Sequence, residues 1–409
     1  MTSPKPKVNA REIVIDIRAG LTDGELMSKY GFSAQGLTSL LKKLVAAKLV
    51  TMEELEERRA EGESTVDIEI PGQRLFHSQQ LTIYSYRWRF RTNAWIISAP
   101  ALSETALFFG SWDGRLYSLD RETGEQLWNF PAGDVIRSSP ELANGLVYFG
   151  SWDRHIYAVR ADTGNGVWRF KTKGAIWSSP RLAGENIYIT SSDGYLYALD
   201  SLTGQQRWQF KLKGSALRWA ECSPAVESGI VFVGSPRGIL YALDEGSGKP
   251  LWEYAAGATI DSSPQIATGL VYFGSGEAAL HAVETVTGRQ RWRRDTDKAV
   301  YSSLGLAGDL VLFSGLKGAL SALDRQTGED KWRCDTGGGV FTAPAESDGV
   351  IYVGNTDHNL YALDALSGKE LWTFATEGAI LAAPLARQGA AYFGSNDGYL
   401  YALNVGFKK

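Results

Sequence analysis

From residue 84 to residue 404 the chain reads as short apolar runs separated by small polar clusters, and the pattern keeps returning. One unit, Ser178 to Phe210, is "SSPRLAGENIYITSSDGYLYALDSLTGQQRWQF". The β-branched and aromatic runs "NIYITS" and "YLYALD", joined by "SDG", predict a β-hairpin, because Asp-Gly between such runs supplies the turn geometry. The turn "SLTG" leads into "QQRWQF", a fourth run. Upstream, "AIWSSPRL" alternates small and apolar residues around a proline, which predicts an edge strand with few ladder donors to lose. Each unit therefore predicts four short antiparallel strands.

The position of the proline recurs at Pro100, Pro140, Pro180, Pro224, Pro264, Leu304, Pro344 and Pro384, with six spacings of 40 residues and one of 44. Eight such units predict an all-β fold, an eight-bladed β-propeller of four-stranded blades. The tryptophan after the "T-G" or "S-G" turn occurs only seven times, from Trp128 to Trp372, because the chain ends shortly after "YLYALN". The eighth stands in front of the first unit: Trp88, in "YSYRWRFRT", precedes Trp128 by 40 residues. An N-terminal strand around Trp88 is thus expected to complete the last blade and close the ring, which removes an open sheet edge.

Taken together, "VYFGSWDRHIYAVRADTGNGVWRF" and its sister units resemble the pyrroloquinoline-quinone (PQQ) type of propeller repeat, over about Tyr84 to Asn404. That family includes quinoprotein alcohol dehydrogenases, the propeller lipoprotein of the outer-membrane protein assembly machinery, and many non-enzymatic proteins. The resemblance implies a propeller and leaves the function open, since one fold hosts many activities. "SWD" at Trp112 and Trp152 does not indicate WD40 repeats, because it falls at the hairpin turn and not at a strand end.

Residues 1–60 have a different character. "NARE", "TDGE" and "TMEE" place a capping residue three before a glutamate, a helix-start signal. Leu37, Leu40, Leu41, Leu44 and Val45 then fall on one helical face. The stretch from Thr22 to Val45 resembles a helix-turn-helix, with Gln35, Thr38, Ser39 and Lys42 pointing away from the apolar stripe as candidate contacts to DNA or to a protein partner. Through residue 50 there are eight Lys and Arg against four Asp and Glu, whereas the whole chain carries −4. That asymmetry permits DNA contact. Gly36 inside the recognition segment favours a docking or dimerisation helix instead. Residues 61–83 read as a linker and lead-in, and the propeller is expected over 84–409.

Composition narrows the chemistry. Hydrophobic residues make up 44% and charged residues 22%, as in ordinary globular proteins. The N-terminus lacks a basic start followed by an apolar run, so the expected location is the cytoplasm, with no membrane insertion. Nucleophile elbows, phosphate-binding loops, zinc spacings and dinucleotide-binding glycine loops are absent, and the four histidines are scattered. The two cysteines, Cys222 and Cys334, occupy unlike repeat positions and are expected to be small buried residues. The quinoprotein dehydrogenases use adjacent cysteines, calcium-binding side chains, a catalytic Asp and long insertions between blades; this chain has no adjacent cysteines and a single four-residue insertion. The expectation is a protein that is not an enzyme and takes no cofactor.

A binding surface is the alternative, and the repeat indicates where it lies. The residue before "S-S-P" runs Ile97, Arg137, Trp177, Glu221, Asp261, Tyr301, Phe341, Leu381, different in every unit. It is expected at the start of the innermost strand, beside the central funnel. The insertion adds Arg218 and Trp219, and strand counting puts the hairpin residues Trp112 and Trp152 on the same face. Exposed Trp and Arg beside a funnel are typical anchors for a protein or peptide. The sequence therefore predicts a protein- or peptide-binding scaffold; a ligand-sensing transcription regulator and a PQQ-dependent dehydrogenase are the competing classes.

Overall fold

A computed structural model of the chain describes residues 13, 14, 16, 17, 21, 23–30, 37, 40, 41, 44, 73, 74, 82–214, 222–300, 302–314, 318–339 and 342–407. The chain divides into two compact units, residues 1–76 and 77–409. In the first, Asp23–Tyr30 is an α-helix. Ile13, Ile17, Leu26, Leu37, Leu41 and Leu44 bury their side chains in one cluster. Asp16 accepts hydrogen bonds from the Tyr30 hydroxyl and, at 2.7 Å, from Lys29. Gln35, Thr38, Ser39 and Lys42 lie outside the described residues.

The second unit is an eight-bladed β-propeller of four-stranded antiparallel blades, seven of them in sequence order and the eighth completed by a strand from ahead of the first blade. Blade three shows the plan: Arg181–Ala183, Asn186–Thr190, Tyr195–Asp200 and Gln206–Lys211. The first strands of neighbouring blades adjoin around the axis, and the fourth strands form the periphery. Second and third strands are covered on both faces by adjacent blades, which is why runs such as Leu146–Gly150 are buried along their whole length. The fourth strand carries charged side chains on its open side, as in Gln290–Asp295, which discourages further pairing.

The innermost strand is shorter than the apolar alternation suggests. It begins after the proline and spans two or three residues, Ala101–Leu102 in blade one and Glu141–Ala143 in blade two. Proline offers no ladder donor, and the serine two residues before it takes over the bonding. Ser138 Oγ donates to the Gly150 carbonyl and accepts from the Gly150 amide, both at 2.8 Å. Cys222 fills this clamp position in blade four, where its Sγ accepts from the Gly234 amide at 3.2 Å. Cys222 is buried as expected, and burial pushes its thiol up to about 12. Cys334 is half-buried in a fourth strand.

Two contacts repeat between blades. A Cβ on Gly150 would lie 2.2 Å from Cγ2 of Ile176 in the next blade, so only glycine lets the blades close this tightly. At the periphery a bulge precedes each fourth-strand tryptophan, as between Ala198 and Leu199 opposite Trp208 and Gln206, and turns the indole toward the following blade. Trp168 Nε1 donates to the Ser201 carbonyl at 2.9 Å, and its ring covers Gly204.

Ring closure follows the expected seam. Thr82–Arg91 pairs with Tyr399–Phe407, from Thr82 opposite Phe407 to Arg91 opposite Tyr399, with the same bulge before Trp88. Trp88 Nε1 donates to the Arg121 carbonyl of blade one at 3.1 Å. On the other side of the seam Trp372 finds no "T-G" turn to cover, because Tyr399–Phe407 runs straight on. Tyr84 covers it instead, with ring centroids 4.5 Å apart. The Trp372 indole N–H is buried and has no hydrogen-bond partner among the described residues.

Candidate functional site

Strand direction puts the hairpin turn between strands two and three on the same face as the segment before each first strand. On that face the residues preceding "S-S-P" converge. Ile97, Arg137, Trp177, Asp261 and Leu381 border one axial cavity of about 150 Å³, to which every blade contributes. Tyr301, Phe341 and Glu221, the other members of the series, and Arg218 and Trp219 of the insertion lie outside the described residues.

The wall of the cavity is not uniform. The second serine of "S-S-P" accepts from the equivalent amide of the preceding blade: Ala99 N–H to Ser139 Oγ at 2.9 Å, Ser139 to Ser179 at 2.9 Å, Ser179 to Ser223 at 2.8 Å, Ser223 to Ser263 at 2.9 Å. In blades seven, eight and one the position holds Ala343, Ala383 and Ala99. A hydroxyl-lined arc with Arg137 and Asp261 thus faces an apolar arc with Leu381 and Ile97.

Beside the cavity four indoles adjoin in a run. Ring centroids are 4.9 Å apart for Trp95 and Trp112, 5.4 Å for Trp112 and Trp152, and 4.1 Å for Trp152 and Trp177. The Arg137 guanidinium lies over the Trp177 ring, 5.4 Å from its centre. The structure thereby brings Trp112, Trp152, Trp177 and Arg137 together and adds Trp95, which is 45% exposed. Sequence reasoning passed over Trp95, although it stands where other blades have the small residues Val135, Ala175, Thr259 and Ala379.

Nothing in the blade plan demands these indoles. The peripheral tryptophans from Trp88 to Trp332 donate into the next blade, whereas Trp112 and Trp152 have buried indole N–H groups with no acceptor among the described residues. Their repeat position holds Ser192, Gly276 and Asn396 elsewhere. A buried donor without a partner costs about 1–3 kcal/mol, a cost that the peripheral indoles with their carbonyl acceptors do not carry.

The carboxylates of the same turns have structural work. Asp153 accepts from the Tyr157 hydroxyl at 2.6 Å, the Gly133 amide at 2.8 Å and the His155 amide at 2.9 Å. These bonds hold its acid below the ordinary range although burial works against them. The arrangement recurs at Asp113 with Tyr117, Asp193 with Tyr197 and Asp397 with Tyr401.

Eight four-stranded blades in a 40-residue register around an axial channel define a PQQ-type repeat propeller. The chain belongs to the family described as outer membrane protein assembly factor BamB, which matches residues 85–216, 237–343 and 316–406. Among solved structures it is similar to BamB from Moraxella catarrhalis, with a TM-score of 0.69 and 21% identity over 79% of this chain and 100% of that one. It is also similar to the computationally designed Ika8 protein, TM-score 0.68, 19% identity, 76% of this chain and 96% of that one. The quinohemoprotein alcohol dehydrogenase ADHIIG from Pseudomonas putida HK5 gives a TM-score of 0.68 at 13% identity, over 80% of this chain and 77% of that one. At these identities the structural likeness establishes the fold. No curated protein sequence matches the chain.

The dehydrogenase neighbour raises the question of a calcium-held quinone in the channel. Calcium takes six to eight oxygen ligands, often from several carboxylates. Among the described residues the cavity wall offers one carboxylate, Asp261, and the cysteines sit on separate blades. The described residues do not fit that group.

Proposed function

We propose that the propeller is a non-catalytic binding module that takes an extended protein segment across its channel face. The observation that carries this reading is the indole run from Trp95 to Trp177, leading into a cavity with Arg137 and Asp261 on one wall and aliphatic side chains on the other. Trp and Arg are the residue types that dominate binding hot spots. The three indole steps span the length of about four extended residues, enough to seat alternate side chains of a strand. The family description as an assembly factor agrees with a protein partner. The structural employment of the turn carboxylates supports a site that binds and does not react.

Selection of peptides from a displayed random library against the full chain tests the proposal. Selected peptides are expected to bind Trp177→Ala at least about tenfold more weakly, a loss of about 1.4 kcal/mol. Undiminished binding to Trp177→Ala and to Trp95→Ala would remove the channel face as the site.

A further inference from the structure

Between neighbouring blades, away from the channel, four of the eight junctions build a three-ring plug; Ile189, Val233 and Val353 replace its second-strand ring at three others, and Cys334 also replaces the fourth-strand ring facing Val353. A second-strand Phe is stacked on a third-strand Tyr, as Phe149 on Tyr157 at 5.1 Å and Phe393 on Tyr401 at 5.3 Å. The fourth-strand aromatic of the preceding blade meets them edge-on, as Phe130 meets Tyr157 at 5.5 Å. Blades four and five keep the plan with Tyr254, Phe273 and His281.

The junction of blades five and six breaks it twice. Arg294 stands in the fourth-strand aromatic position and Ser321 in the third-strand position, while Phe313 stays. Phe313 is 8% exposed, whereas Phe109, Phe149, Phe273 and Phe393 are fully covered. A cavity of about 630 Å³ opens where the two rings would stand, with Phe313 and Ser321 on its wall beside the cations Arg294, Lys298, Lys331 and Arg333 and the carboxylates Asp295, Asp297 and Asp330. Asp295 is paired with Arg293 at 2.6 Å and Lys331 with Asp324 at 3.2 Å. Pockets for small organic ligands run to about 300–1,000 Å³. Arg294 is tied to Asp330, and Arg333 to Asp297 at 3.1 Å, so both frame the mouth. Lys298 has no ion-pair partner among the described residues.

We propose that this cavity is a binding site for a small aromatic carboxylate, independent of the channel face. A planar ring would restore the stack on Phe313, and its carboxylate would reach the cations at the mouth, Lys298 first. Offset stacking and a charge-assisted hydrogen bond are the two interactions that the substitutions make available.

Calorimetric titration of the full chain with 4-hydroxybenzoate, beside acetate and phenol, tests the site. Saturable binding of 4-hydroxybenzoate in about the millimolar range or tighter is expected, with acetate and phenol each at least about tenfold weaker. The pair Ser321→Tyr and Arg294→Phe rebuilds the plug and is expected to abolish binding while raising the thermal midpoint. Lys298→Gln, at an exposed position, is expected to weaken 4-hydroxybenzoate and leave phenol unchanged. The proposal is overturned by absence of saturable binding, by acetate binding as tightly as the aromatic acid, or by full affinity in both Lys298→Gln and the rebuilt variant. Loss of peptide binding at Trp177 would leave it untouched.

Discussion

His281 occupies a position that is tyrosine in six of the other blades, and the substitution is legible in the sequence; its consequence is not. The ring keeps the stack, 4.9 Å from Phe273, and its nitrogens meet the Tyr254 hydroxyl at 3.0 Å and Ser275 Oγ at 3.1 Å. Burial, aided by nearby Arg293, lowers its pKa to about 4 from 6.5. The folded chain therefore keeps this imidazole neutral while the unfolded chain protonates it. Stability is full above pH 6.5 and falls as the pH drops toward 4, by about 3 kcal/mol at most from this group. His281→Phe keeps the stacked ring and removes the titration. Urea denaturation at pH 7 and pH 4.5 is expected to show a smaller loss for His281→Phe than for the parent; equal losses would assign the acid sensitivity elsewhere. Cysteine burial was likewise expected, but the clamp that Cys222 makes with Gly234 could be read only once its strand partner was known.

At the scale of the element, strand content, turn positions and the recurring tryptophans were legible, because the repeat register returns each local signal, whereas the bulge before each tryptophan appeared only in the strand pairing. Two further features were not legible. The innermost strand shortened, since serine hydroxyls replace ladder bonds that a periodicity argument cannot see. Trp95 escaped because it lies outside the invariant frame, and only the folded turn brings it against Trp112. The seam adds a difference between tryptophans that look alike in sequence. Trp168 donates to the Ser201 carbonyl, whereas Trp372 donates to nothing described. Trp168→Phe is expected to cost about 1–2 kcal/mol more than Trp372→Phe, the worth of the lost bond and the carbonyl left behind. Chemical denaturation of the two variants checks the order, and equal costs would mean that the indole N–H bonds contribute nothing.

For the whole molecule, closure rests on one strand carried from the start of the chain to its end. Trp88 made that seam legible, and the pairing from Thr82 to Arg91 bears it out. Removing residues 1–92 is expected to expose a blade edge and the Trp372 ring, lowering the thermal midpoint by on the order of 10 °C or more. Removing 1–60 should leave the midpoint within about 2 °C. The channel face was legible as a variable ring on a constant frame, and its hydroxyl and apolar arcs follow from which blades carry serine or alanine. The cavity between blades five and six was hidden, because the two substitutions that border it, Arg294 and Ser321, lie on different blades and meet only in the folded ring.

Capture of a protein segment by the channel face is tested by crosslinking in cells. A photo-reactive residue replaces Trp95 or Arg137 in the full chain, and Leu366, 90% exposed at a turn on the opposite face, serves as the control. One discrete crosslinked protein is expected, shared by positions 95 and 137 and absent from 366. Crosslinks confined to 366, or none from 95 and 137, would contradict such capture.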